Sequence, residues 1–110
     1  MADTLKVLGQ VAPAAAKWTD LYTAPAGTQV VVSSIIICSR LGVDTTFYLA
    51  VSPGGGASIE NKHYLYYNTH IPGYETLAAQ IGVTLSAGDK LRVYAGNDYL
   101  SFSAFGIEVT

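Results

Sequence analysis

The stretch "KHYLYYNTH" (residues 62–70) holds both histidines of the chain and three of its eight tyrosines, beside an asparagine and a threonine. Three kinds of chemistry could use such a set. Imidazoles bind metal, aromatic faces stack on sugar rings, and a row of tyrosines makes protein contacts. Metal is the poorest fit. His63 and His70 have no H-E-x-x-H pattern, no cysteine pair and no third ligand beside them, whereas zinc sites draw on about three or four protein ligands. They read as ordinary turn or interface histidines. For the tyrosines, strand alternation decides the faces. It puts His63, Leu65 and Tyr67 on one side and Tyr64, Tyr66 and Asn68 on the other. Tyrosine suits strands and protein contacts because it packs a ring and keeps its hydroxyl wet. Tyr64, Tyr66 and Tyr67 are the candidate contact surface, and sugar stacking is the alternative use of the same rings.

Other reaction chemistry lacks its parts. Hydrolysis needs a nucleophile, a base and an orienting acid, yet no G-x-S-x-G occurs among the serines. Glycoside cleavage needs a carboxylate pair, and the chain has only eight acids. Asp20, Asp44, Asp89 and Asp98 fall beside turns, where aspartate caps backbone amides. Glu60, Glu75 and Glu108 have no evident mate. "SPGGGAS" (residues 52–58) suits a mobile loop, but it lacks the Lys-Ser/Thr pair and following helix of a phosphate loop. Cys38 is the only cysteine, so it makes no internal disulfide. It is expected to be a buried, reduced small hydrophobe, compatible with a reducing cytosol. No enzyme, metal or cofactor is expected.

The elements that must carry these residues are strands. Turn residues recur at short intervals between β-branched and aromatic runs, the rhythm of an all-β sandwich. "TLKVLGQVA" (4–12) and "KWTDLYT" (17–23) open the series. In "QVVVSSIIICS" (29–39), Val30, Val32, Ile36 and Cys38 point one way and Val31, Ile35 and Ile37 the other. A strand apolar on both faces is covered on both: one cover is the second sheet, and the other is a loop, a terminal segment or a neighbouring subunit. "TTFYLAV" (45–51) turns Phe47, Leu49 and Val51 inward and Thr46 and Tyr48 outward. "TLAAQIGVTL" (76–85) aligns Leu77, Ala79, Ile81, Val83 and Leu85. "KLRVYA" (90–95) turns Leu91 and Val93 inward and Lys90, Arg92 and Tyr94 outward. In the last run the apolar parity switches at Ala104–Phe105, which implies a β-bulge or a strand buried on both faces. The turns at 86–89 and 95–98 look like hairpins. The expectation is one domain over residues 1–110: an antiparallel two-sheet β-sandwich, jelly-roll-like, of about eight strands. Phe47, Leu49, Ile81, Val83, Leu91, Val93 and Phe102 should form its core.

Composition narrows the partners. Half of the 110 residues are hydrophobic and only 13% are charged, against roughly 25% on average. Apolar surface in such excess meets other protein. A net charge of −2 supplies no basic field for nucleic acid. No apolar run approaches the ~20 residues that cross a bilayer, and the opening lacks the pattern of a secretory leader.

The whole chain resembles small tailed-bacteriophage virion proteins. The likeness is carried by "KVLGQVAPAAAKWTDLYTAPAGTQVVVSSIIICSR", "TTFYLAV", "KHYLYYN" and "ETLAAQIGVTLSAGDKLRVYAGNDYLSFSAFGIEV", and it runs from Leu5 to Val109. It implies a structural protein of the virion, assembled in the host cytoplasm, such as a head decoration (cement) protein on the major capsid protein. A neck, tail or baseplate accessory that binds another virion protein fits the same likeness. Jelly-roll decoration proteins that cap the threefold positions of capsids imply a homotrimer by analogy. A small carbohydrate-binding adhesion module is the alternative from another class.

Overall fold

The structure, a computed structural model, describes residues 3–56 and 58–110; Ala57 of the glycine loop and the first two residues lie outside the described residues. Nine strands form in order: β1 (Asp3–Val11), β2 (Trp18–Thr23), β3 (Gln29–Ser39), β4 (Thr45–Ser52), β5 (Tyr64–Ile71), β6 (Thr76–Ala79), β7 (Val83–Leu85), β8 (Lys90–Ala95) and β9 (Leu100–Val109). β6 and β7 both pair with β3, along Cys38 to Ile35 and Val32 to Val30. They are one strand interrupted around Gln80–Gly82, which accounts for nine strands where eight were expected.

One sheet has the order β1-β9-β3-β6, with β7 also on β3, and the other has β2-β8-β4-β5. All pairings are antiparallel. The pairs β1·β9, β2·β8, β3·β6/β7 and β4·β5 are nested, so the chain is a long double ribbon folded back on itself. Rolling that ribbon adds the pairs β3·β9 and β4·β8, and the result is jelly-roll connectivity. Among the described strands, only β4 and β5 are both neighbours in sequence and hydrogen-bonded partners. The turns at 86–89 and 95–98 are therefore not hairpins. Each carries the chain from one sheet to the other, because β8 pairs with β2 and β4 rather than with β7 or β9.

The core lies between the sheets, where Phe47, Leu49, Leu91, Val93 and Phe102 are fully buried as expected. Ile81 and Val83 point inward too, but they lie beside the β6–β7 interruption and are only partly buried. Register shifts on β1, β2, β3 and β5 set which side chains reach this core. On β3 the register slips between Val32 and Ser34, so Val30, Val32, Ile35 and Ile37 all face inward and are fully buried. The expected parity of β3 is thus wrong after Ser33. The slip buries Ile35 and Ile37 on the same side as Val30 and Val32, and the Ser33 hydroxyl donates to the Phe105 carbonyl beside it at 3.1 Å. It also turns Cys38 to the outer face, where it is half-buried rather than buried.

β9 keeps regular alternation instead of shifting phase. Its neighbours shift around it, at Ser33 on β3 opposite Phe105–Gly106 and at Leu8 on β1 opposite Ala104–Phe105. Leu8 and the bulged Leu21 of β2 drop into the core. Gly9 is needed where these two bulges meet, since a Cβ there would stand 2.1 Å from the Leu21 carbonyl oxygen.

Three aspartates do cap turns. Asp44 accepts the Gly73 N–H at 3.0 Å, Asp98 accepts that of Ala15 at 2.6 Å, and Asp89 accepts those of Gly54 and Ser86 at 2.8 and 2.9 Å. Asp20 does not; it lies in β2 and pairs with cations across the sheet. The glycine loop is not free either. Ser52 donates to the Gly56 carbonyl, and Arg92 reaches the Gly55 carbonyl at 3.4 Å.

Candidate functional site

The outer face of the four-stranded sheet carries the densest set of functional side chains. Cross-strand register puts Trp18 of β2 opposite Tyr94 of β8, and Tyr94 opposite Tyr48 of β4. Three strands thus give one ring each to a single row. β5 adds two more. It departs from regular pairing twice, between the partners of Phe47 and Leu49 and again between those of Leu49 and Ala50. Asn68 takes the left-handed conformation there, with φ 47°, a geometry asparagine tolerates better than most residues. The consequence is that Tyr64 and Tyr67 come to the same face.

Tyr48 is the hub. Its ring lies 5.1 Å from Tyr67, 5.3 Å from Tyr94, 5.8 Å from Tyr64 and 6.3 Å from Trp18, centroid to centroid. The contacts to Tyr67 and Tyr94 are close to perpendicular, at 89° and 84°. Edge-to-face packing is the favoured aromatic geometry and adds about 0.5–1.5 kcal/mol per pair beyond burial. The five rings surround a shallow hollow of about 220 Å³. Burial among the rings, reinforced by the neighbouring phenols of Tyr67, Tyr64 and Tyr94, pushes the Tyr48 phenol above its ordinary range.

One register step away lies a polar frame. Arg92, buried on this outer face, donates Nε–H to Asp20 at 3.0 Å, and Lys90 donates to the same carboxylate at 2.8 Å. The Lys90 hydrogen bond, opposed by partial burial, holds the Asp20 carboxyl below its usual range. This frame ties the glycine loop to β2 and β8 and so fixes one border of the aromatic face.

Of the three expected contact residues, the structure brings two together. Tyr66 turns inward instead and packs on Phe47 at 5.8 Å, half-buried against the core. The bulges on β5 are the reason, since regular alternation would have paired it with Tyr64. The histidines stay apart from the rings and from each other's partners. His63 Nδ1 accepts the Glu60 N–H at 3.0 Å, closing a short 3-10 turn, and His70 Nε2 lies 3.2 Å from Asp44. The sequence alone does not mark Trp18, Tyr48 and Tyr94 as partners of the tyrosine stretch. The outward parity of Tyr48 and Tyr94 was visible, but the strand order that joins them was not.

The five-stranded sheet has a different outer face. Leu5, Ile107 and Val31 stand directly opposite one another across β1, β9 and β3. Leu5 is 80% exposed and Val31 43%. Val7, at 48%, and the half-buried Phe105 form the next row. Solvated faces of antiparallel sheets are normally polar; this one is apolar at the end that holds these two rows and polar at the other, around Gln10, Ser101 and Ser103.

No protein-family model matches the chain, and no curated protein matches it.

Proposed function

We propose that the protein is a non-enzymatic structural component of a tailed-phage particle, decorating the head as a homotrimer seated on the major capsid protein. The observation that carries the reading is the apolar row Leu5–Ile107–Val31 on the outer face of the five-stranded sheet. Covering such a face with protein is favourable by about 25 cal/mol per Å² of apolar area, before the costs of association.

A β3 apolar on both faces is a weaker ground for assembly than this row. The bulge at Ser33 gathers most of that strand's bulk into the core. The uncovered apolar surface is instead shared among three strands. The phage setting rests on the whole-chain resemblance, and threefold order rests on analogy with jelly-roll proteins at capsid threefold positions. Closed rotational symmetry is the usual outcome for such contacts. A neck, tail or baseplate accessory would use the same face at a different address on the virion.

Sedimentation equilibrium of the purified protein, together with mass spectrometry of purified particles, tests the reading. The expected results are a mass three times the 11.6 kDa chain and many copies per particle. A single-chain mass at micromolar concentration, with no copies in particles, overturns it.

A further inference from the structure

We propose that the aromatic hollow on the outer face of the four-stranded sheet binds one ring of a neutral saccharide. At about 220 Å³ it is smaller than the roughly 300–1,000 Å³ of sites that take drug-sized ligands. It has room for a single ring, with the rest of a glycan outside.

The lining matches that guest. All five lining residues, Trp18, Tyr48, Tyr64, Tyr67 and Tyr94, are aromatic, and four of them carry a hydroxyl. A pyranose presents C–H faces and hydroxyl edges together, so its site must offer apolar rings and hydrogen-bonding groups in one place. Tyrosine supplies both. A cage of rings also attracts quaternary ammonium groups, but the local charge disfavours a cation. None of the described lining residues is charged, and the adjacent Asp20–Lys90–Arg92 frame holds two cations for one carboxylate.

The hollow is also built in advance. Its rings brace one another edge to face, and tyrosine and tryptophan lose little rotamer freedom when they bind. β5 gives up regular pairing between Tyr64 and Tyr66, which puts Tyr64 and Tyr67 on one face. Bulges commonly re-aim a side chain beside a functional site. This inference is independent of the particle reading and stands wherever the protein acts.

Trp18 is the only tryptophan in the chain, so its fluorescence reports the hollow directly. The full chain is titrated with neutral oligosaccharides of glucose, galactose, mannose and N-acetylglucosamine, and separately with choline. The expected result is a saturable change in Trp18 emission with at least one sugar series. Tyr67→Ala should weaken that binding at least about tenfold, and Tyr48→Ala should do the same. Tyr74→Ala, which removes an exposed tyrosine outside the hollow, should leave it unchanged. Four results overturn the proposal: no response to any of these sugars from protein whose thermal melt shows it folded, a response that survives Tyr67→Ala, tighter binding of choline than of any sugar, or a response to the major capsid protein alone. The last would make the hollow a protein contact.

Discussion

Tyr64 and Tyr67 stand edge to face, ring centroids 4.8 Å apart and planes at 88°, although they are three residues apart on one strand. Regular alternation sends residues at odd separations to opposite faces. The extra residue that β5 carries between Tyr64 and Tyr66 breaks that rule, and the left-handed Asn68 marks the second irregularity, directly after Tyr67.

Asn68 should therefore tolerate glycine and reject a β-branched residue. Asn68→Val is expected to cost about 1–2 kcal/mol, the penalty for a Cβ in the left-handed region, and to alter Trp18 emission as Tyr67 shifts. Asn68→Gly should stay within about 0.5 kcal/mol of the parent. Urea denaturation followed at the tryptophan measures both. Equal stability of the two variants would show that the β5 bulge is not part of the native strand.

Core substitutions should rank by burial. Leu91→Ala is expected to lose about 2–5 kcal/mol and Phe102→Ala about 3–5 kcal/mol, because both side chains are fully enclosed. Ile81→Ala should lose less, since Ile81 is only partly buried beside the β6–β7 interruption. Denaturant titration of the three variants checks the order, and an Ile81 loss equal to that of Leu91 would contradict it.

The contrast between Leu91 and Ile81 shows what the sequence made legible. β4 and β8 alternate without interruption, so the faces of Phe47, Leu49, Tyr48, Val93 and Tyr94 follow from parity alone. Bulges escape such reading, because each is decided by two neighbouring strands at once. Around Ser33 the register of β3 shifts against β9 on one side and between β7 and β6 on the other, and Leu8 slips against β9 from its far side. Strand order was hidden for a similar reason. The nested pairs join residues as distant as Asp3 and Val109, and no local signal records which distant strand a given strand will meet. The aromatic hollow depends on both hidden features, so its tyrosines were noticed while its tryptophan was not.

Stability should depend on pH through Tyr22 and Glu108. The Tyr22 hydroxyl donates to the Glu108 carboxylate, and Lys6 pairs with the same group at 3.3 Å. The Tyr22 hydrogen bond, aided by Lys6 and opposed by burial, holds the Glu108 carboxyl below its ordinary value of 4.5. A depressed carboxyl contributes stability above that value and loses it as pH falls through the folded pKa. Burial, then the Glu108 contact, raises the Tyr22 phenol above its ordinary value of 10.0. That contribution is complete below 10 and fades as pH rises through the folded pKa. Tyr22→Phe should cost about 1–2 kcal/mol near neutrality, with the gap to the parent shrinking in acid once Glu108 is protonated. Denaturation midpoints across pH measure this; a gap unchanged into strong acid would remove Glu108 as the partner.

The exposed apolar row makes a separate prediction. Leu5→Asp changes a side chain that the isolated chain leaves 80% exposed, so folding stability should move by no more than about 0.5 kcal/mol. Self-association should be lost, because a carboxylate would be buried without a partner. Analytical ultracentrifugation of the variant reads this as a fall to the single-chain mass. A trimer that persists with Asp at this position would place the interface elsewhere.

The most direct test of a decorating role is an electron cryomicroscopy map of intact particles. The expected map shows this jelly roll on the outside of the head, in threefold clusters, with Leu5, Val31 and Ile107 covered by a neighbouring protein. A map that leaves this face open to solvent, or that contains no copy of the chain, would contradict it.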